Sequence, residues 1–184
     1  MRDIDAVRAK LRRQAIRGAL YMIWPRPMGP GLLEEAIPAD LQSSQHDLRR
    51  AVDYLRLRGE IQEHKGADTP LWSLTAAGLE AHEASDAVSD DTRRGVRMLR
   101  LRVLQALDLG RPRPMGTRLI ALALADDADL DLSELGLRRT LRYLAEVDLA
   151  ETAGEEAWGI TAAGIDYLAG DGEAVGGVAR PIDW

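Results

Sequence analysis

A repeat of the chain within itself constrains the fold more than any other feature of the sequence. Residues 25–29, Pro-Arg-Pro-Met-Gly, recur as residues 112–116, a shift of 87 positions. Two further segments recur with shifts of 89 and 86 positions: Leu-Arg-Arg at 48–50 and 137–139, and Thr-Ala-Ala-Gly at 75–78 and 161–164. Self-similarity at a near-constant period predicts one structural unit built twice, with the changes in shift absorbed by loops.

Both copies predict the same helices in their first halves. Apolar residues at three-to-four spacing predict a long helix at residues 5–23 and again at 92–109. A short helix follows at 31–37 and at 117–125. Between the two helices, the prolines of Pro-Arg-Pro-Met-Gly predict a bend or an edge strand, because proline has no amide donor and a fixed φ.

A third helix and a hairpin complete each copy. Ser44 and Ser133 are predicted to cap this helix, with Asp47 completing a capping box in the first copy. Short strands at 61–64 and 71–74 enclose a turn-rich tip, and Thr75 opens a closing helix. We expect the apolar face of the third helix to be buried in both copies: Leu48, Val52, Leu55, Leu137, Leu141 and Leu144.

Helix, bend, helix, helix and hairpin is the order of a winged helix-turn-helix. Residues 54–61, Tyr-Leu-Arg-Leu-Arg-Gly-Glu-Ile, resemble the end of a recognition helix that runs into a wing. Residues 72–78, Trp-Ser-Leu-Thr-Ala-Ala-Gly, resemble the strand-to-helix segment that closes the wing in many MarR-, PadR- and ArsR-like regulators. The expected fold class is therefore mainly α with small β-hairpin wings (α+β), as two tandem winged helix-turn-helix domains related by internal duplication.

The repeat also predicts the domain boundaries. We expect a first domain at 1–84, a polar linker at 85–91, a second domain at 92–169 and an extended C-terminal tail at 170–184. Residues 161–170 and 175–181 are similar to the end of a family of small winged-helix proteins from Mu-like phages and prophages. This resemblance implies a phage or prophage origin and supplies no tested activity.

Arginines on the third helix are the candidate nucleic-acid contacts, because a guanidinium group can bond guanine edges or phosphates from a recognition helix. The alternative is a solvated helix face whose arginines pair with Asp47, Asp53 or Glu60. Lys65 in the first wing can reach phosphate, whereas the second wing carries Glu151, Glu155 and Glu156. The candidate DNA-binding residues are Arg49, Arg50, Arg56, Lys65, Arg138, Arg139 and Arg142.

The two halves differ in net charge. Residues 1–84 hold 12 basic and 12 acidic residues, and residues 85–184 hold 12 and 18, so the whole net charge of −6 lies in the second half. The first copy is therefore expected to bind double-stranded DNA and the second mainly to support it. The acidic second domain or the tail is the candidate surface for a protein partner.

Other classes of function find little support in the sequence. The chain has no cysteine, and its three histidines, His46, His64 and His82, lack the close spacing of a metal pair. No nucleophile, base and oxyanion set stands out, so we expect neither an enzyme nor a cofactor. No apolar run is long enough for a membrane span, and the acidic first residues do not resemble a signal peptide, which predicts a cytoplasmic protein.

Two functional hypotheses remain open. The first is a DNA-binding protein, a transcriptional regulator or phage-type accessory factor with paired winged helices. The second is a non-catalytic interaction or scaffolding module, for example in phage assembly. The sequence does not decide the oligomeric state, an operator or an effector ligand.

Overall fold

The computed structural model divides the chain into two compact units, Met1–Val88 and Ser89–Trp184. It describes residues 2–41, 44–127, 129–154 and 156–181, with side chains from residue 4 onward. These residues form eight helices and five short strands. The strands form small antiparallel sheets, which confirms the expected mainly α fold with β-hairpins.

The first unit begins with a long helix and ends with a short one. Its elements are α1 (Arg2–Ile23), α2 (Pro30–Ala36), α3 (Gln45–Leu57), β1 (Ile61–His64), β2 (Leu71–Leu74) and α4 (Ala76–Glu83). Ser44 caps α3 by accepting a hydrogen bond from the Asp47 amide, as the capping-box pattern predicts. Both strands coincide with the predicted ranges.

The hairpin of the first unit is joined by the proline-containing segment. Strands β1 and β2 pair antiparallel, with Ile61 opposite Leu74. Met28 forms a bridge to Trp72 on β2, through amide-to-carbonyl distances of 2.8 and 2.9 Å in the two directions. The Pro-Arg-Pro-Met-Gly segment thus acts as a short edge of the hairpin, and the bond between Trp24 and Pro25 is cis.

The core of the first unit lies between α1, α2, α3, α4 and β2. Trp24 is 1% exposed, and its indole Nε1 donates to the Leu74 carbonyl at 2.8 Å, so this tryptophan packs in the core. Arg17 and the buried Glu60 form an ion pair at 3.1 Å. The large fully buried aliphatic residues of this unit are Ile16, Leu20, Leu33, Leu55, Leu74 and Leu79.

The second unit has the same order of elements plus one short strand. Its elements are α5 (Asp90–Gly110), β3 (Met115–Gly116), α6 (Thr117–Ala123), α7 (Glu134–Glu146), β4 (Ala150–Thr152), β5 (Ala157–Ile160) and α8 (Ala162–Ala169). The sheet order is β3-β5-β4, with Met115 opposite Trp158 and Ala150 opposite Ile160. The recurrent Pro-Arg-Pro-Met-Gly segment therefore also contributes a sheet edge, and the bond between Arg111 and Pro112 is cis.

A threonine fastens the turn after the third helix in both units. The residue at this turn is left-handed, with φ of 69° at Gly59 and 61° at Asp148. The carbonyls of these two residues accept hydrogen bonds from the Thr75 and Thr161 hydroxyls, at 2.6 and 2.5 Å. Each threonine also caps the closing helix of its unit, so one side chain joins the hairpin, the turn and the last helix.

Residues 175–180, here called the tail segment, fold back onto α5 of the second unit. Arg97 donates to the Gly176 carbonyl, and the buried Arg100 donates to the Gly177 carbonyl at 3.0 Å. The Tyr167 hydroxyl lies 3.1 Å from the Val178 and Ala179 carbonyls. Val178 is 3% exposed, so the segment adds to the core of its own unit. The sequence did not indicate this contact. The final residue Trp184 lies outside the described residues.

Several predicted boundaries and one burial prediction need correction. Helix α1 begins three residues earlier than expected, and α5 begins at Asp90 because Ser89 caps it through the Thr92 amide. Residues 90 and 91 are therefore helical. Five of the six predicted core residues of the third helices are buried. Leu48 is only half-buried, because the core side of α3 is centred one turn later, on Ala51, Val52 and Leu55.

Candidate nucleic-acid interface

Helix α3 presents two adjacent arginines to solvent. Its buried side consists of Ala51, Val52 and Leu55. Arg49 and Arg50 lie away from this side and are exposed. Among the described residues, neither arginine forms an ion pair with a carboxylate. These two positive charges are therefore available to an external anion.

Arg56 lies on the same helix in a different electrostatic setting. Its guanidinium group is 3.1 Å from a Glu63 carboxylate oxygen on β1 and 3.7 Å from Asp53 one turn back. Both acids are about half-exposed, so the pairs are screened by water. Among the described residues, Arg56 thus has two carboxylate neighbours, unlike Arg49 and Arg50. One of them is the Asp53 that the alternative interpretation of this helix face names.

Lys65 lies at the start of the hairpin tip and is exposed. The tip continues through residues 66–70 before β2 begins. No described acidic side chain lies within ion-pair distance of the Lys65 ammonium group. Among the described residues, the first unit therefore presents basic side chains without ion-pair partners on both α3 and the hairpin.

Helix α7 of the second unit carries its arginines among acids. Arg138 lies 2.7 Å from Glu134 on α7 and 3.9 Å from Glu156 in the hairpin. Arg139 is half-buried, and Arg142 is exposed. Glu151 on β4 is also exposed, and Glu155 lies outside the described residues. The acids around the hairpin reduce the attraction of this face for a phosphate backbone.

A second cluster of arginines lies between α1 and α3, where the sequence analysis did not place a site. Arg8, Arg12 and Arg13 of α1 and Arg50 of α3 line one groove with a volume of about 540 Å³. Tyr54 forms part of the wall, and the Arg13 guanidinium carbon lies 4.4 Å from its ring centre. The sequence does show basic residues four and five positions after Arg8 along α1. Their role becomes clear only when the structure places α3 beside them.

His82 is the described residue whose protonation the fold perturbs most clearly. His82 is 8% exposed, and the centre of its ring lies 4.6 Å from the centre of the Tyr21 ring. Burial lowers the pKa of His82, and the positive charge of Arg17 lowers it further. Arg17 also donates to the Ala81 carbonyl at 3.3 Å. The arrangement joins α1 to α4.

The described part of the chain holds neither a metal-ligand cluster nor a membrane-spanning helix. Its acidic and histidine side chains form no group of three or more that could hold a metal ion. No helix in the same residues is long and apolar enough to cross a bilayer. Comparisons of the chain with protein-family models, with curated proteins and with solved structures found no match.

Proposed function

We propose that this protein binds double-stranded DNA through α3 of its first unit. The observation that carries the proposal is the pair of exposed arginines, Arg49 and Arg50, which have no carboxylate partner among the described residues. Arginine forms paired hydrogen bonds with guanine edges and with phosphates. A helix that presents two such groups at consecutive positions, followed by a hairpin with Lys65, has the chemistry of a recognition helix and wing.

We infer that the two units are duplicated winged helix-turn-helix domains of the MarR-, PadR- and ArsR-like kind. The inference is supported by the matched sequence segments and by the shared order of helices and hairpin. The threonine that joins turn and closing helix at corresponding places in both units supports it as well. The setting we propose is a regulator or a phage-type accessory factor.

The second unit is proposed to support DNA binding rather than to provide it. Arg138 is paired with Glu134 and lies near Glu156, and residues 85–184 carry the whole net charge of −6. Bringing a phosphate backbone against that surface requires the acids to be moved or screened. Arg142 remains exposed, so a weaker contact from this unit is compatible with the proposal.

The test is a salt series of binding to a labelled random-sequence duplex, measured by fluorescence anisotropy. The double variant Arg49→Ala with Arg50→Ala should bind more weakly and flatten the slope of log affinity against log salt by up to about two units. The matched pair Arg138→Ala with Arg139→Ala should have a smaller effect. Arg56→Ala serves as a control on α3, because this arginine is already paired with Glu63.

Two results would overturn the DNA proposal. One is the absence of duplex binding by the wild-type protein at low salt. The other is an unchanged affinity and salt slope for the Arg49 and Arg50 double variant, with its thermal stability equal to that of the wild type. In either case the arginines of α3 serve another role.

A non-catalytic interaction module is the second candidate, and one observation favours it. The second unit exposes leucines on neighbouring elements: Leu119 and Leu122 on α6, at 56% and 65%, and Leu135 on α7, at 51%. Leu119 and Leu122 lie three residues apart and so share one side of α6, and neighbouring exposed apolar groups are typical of protein contacts. Replacing Leu119 and Leu122 by Ser should leave duplex affinity unchanged under the DNA proposal, and should abolish partner binding under this alternative.

A further inference from the structure

The groove between α1 and α3, defined by Arg8, Arg12, Arg13 and Arg50, has an unusual balance of charge. Its walls hold four arginines against two acids, Asp5 and Asp47, which leaves a formal excess of two positive charges. Among the described residues, no carboxylate lies within ion-pair distance of any of the four guanidinium groups. Like charges gathered in a concave site repel each other unless an anion joins them.

Two of the four arginines are held in place by the fold. The Arg12 Nε donates to the Leu41 carbonyl at 3.1 Å. Arg13 stacks on the Tyr54 ring, with 4.4 Å between the guanidinium carbon and the ring centre, a cation–π contact. Asp47 is engaged in the cap of α3, where its carboxylate accepts from the Ser44 hydroxyl at 3.1 Å. Arg8 and Arg50 are exposed and are able to reorient toward a ligand.

The chemistry of this set favours a phosphate group. Guanidinium groups bind phosphate through paired, charge-assisted hydrogen bonds, and several can share one tetrahedral anion. A volume of about 540 Å³ falls in the range of ligand sites, about 300–1,000 Å³, and exceeds what one phosphate group fills. The ligand is therefore expected to carry the phosphate on a larger body.

We propose that the α1–α3 groove is a phosphate-binding site that holds the nucleic-acid backbone beside α3. This inference rests on the proposed function. Arg50 belongs both to the proposed DNA contact of α3 and to the groove, so it links that contact to the arginines of α1. Helix α3 would then approach the bases while α1 fixes the strand that flanks it. Phosphate contacts of this kind set the position of a protein on a duplex rather than its sequence preference.

The test uses variants that lie on α1 alone, so that α3 stays intact. The double variant Arg8→Ala with Arg13→Ala removes two groove arginines. Lys10→Ala is the matched control, because Lys10 is an exposed basic residue on the same helix that does not line the groove. Affinity for the random duplex is measured at 50 and 200 mM salt. Loss of two phosphate contacts should reduce the affinity ratio between these salts by about tenfold, whereas Lys10→Ala should keep the wild-type ratio.

A single variant protects this test against a folding defect. Arg13 stacks on Tyr54, so its removal perturbs packing, whereas Arg8 is exposed. Arg8→Ala alone should reduce the same ratio by about threefold at unchanged thermal stability. Arg8→Lys, which keeps the charge, should recover most of the loss.

A titration with sodium pyrophosphate, followed by calorimetry, distinguishes a free phosphorylated molecule from the DNA backbone. Duplex binding that depends on Arg8 and Arg13 supports the proposal. Duplex binding that is unchanged in both variants overturns it and leaves the proposed role of Arg49 and Arg50 standing. If the wild type binds no duplex, the proposed function fails. Pyrophosphate binding that depends on Arg8 and Arg13 would then support a phosphate site for a free ligand. No binding of pyrophosphate by the wild type would overturn the phosphate site itself.

Discussion

Gly164 lies where the closing helix of the second unit meets the turn after α7, and its replacement by Ala tests how closely they approach. A Cβ at this position would lie 2.7 Å from Ile160 Cγ1 and 3.2 Å from the Leu149 carbonyl carbon, with the Leu149 carbonyl oxygen nearer still. Ordinary contacts at these atoms begin near 3.4 Å. The obstacle is main chain, so it cannot turn aside as a flexible side chain does.

The size of the effect follows from two opposing terms. Alanine favours a helix over glycine by about 0.5–1 kcal/mol. Forcing an extra carbon into a packed site costs roughly 1–3 kcal/mol. The Leu149 carbonyl also accepts a hydrogen bond from the Thr161 amide at 3.2 Å, and any shift of this carbonyl weakens that bond. With the helix gain subtracted from the packing cost, we expect Gly164→Ala to destabilise the second unit by up to about 2.5 kcal/mol, and the weakened hydrogen bond adds to this loss.

Gly95→Ala is the matched control, since Gly95 is helical, lies in the same unit and has open space where a Cβ would be placed. This variant should stabilise the unit by about 0.5–1 kcal/mol. For a domain of this size, 1 kcal/mol shifts Tm by about 4–8 °C. Thermal unfolding followed by circular dichroism should thus move in opposite directions for the two variants. Equal or higher Tm for Gly164→Ala than for Gly95→Ala would refute the close approach.

Three other substitutions, the first with a matched control, test the packing and electrostatics of the units. Leu55→Ala, at a residue 0% exposed, should cost roughly 2–5 kcal/mol in urea unfolding, whereas Leu57→Ala, at a residue 85% exposed on the same helix, should change stability by less than about 0.5 kcal/mol. His82 has a lowered pKa when folded, so the unfolded chain binds a proton on this ring first as the pH falls. Stability should be full above pH 6.5 and fall as the pH drops below that value. His82→Gln should remove this dependence, and an unchanged pH dependence in this variant would assign it to another group. Tyr167→Phe removes the hydroxyl that contacts two tail carbonyls and should cost about 1–3 kcal/mol; unchanged stability together with unchanged proteolysis of the tail would contradict the docking of this segment.

The local elements were predictable because the signals for them are local. The cap at Ser44, the hairpin strands and the closing helix after Thr75 all depend on residues within a few positions of each other. Glycine and proline marked the turns. Even the left-handed turn persists where Asp148 stands in place of glycine, because aspartate tolerates that conformation better than most residues.

The candidate site was predictable only in part, because its electrostatics depend on contacts distant in sequence. Arg49 and Arg56 read alike from the sequence, and only the strand pairing shows that Glu63 lies beside Arg56. The arginines of α1 gain meaning only when α3 packs next to them. The docking of the tail segment on Arg97 and Arg100 is likewise a long-range contact, and a glycine-rich composition gave no sign of it.

The burial of Trp24 has a practical consequence for spectroscopy. Its indole lies in the core of the first unit and is hydrogen-bonded to Leu74, so its fluorescence should shift to the red when that core opens to water. Replacing Trp72, Trp158 and Trp184 by Phe leaves Trp24 as the sole indole among the four tryptophans of the chain. Emission from such a variant reports unfolding of one unit while circular dichroism reports both, so the difference between the two transitions measures how strongly the units are coupled.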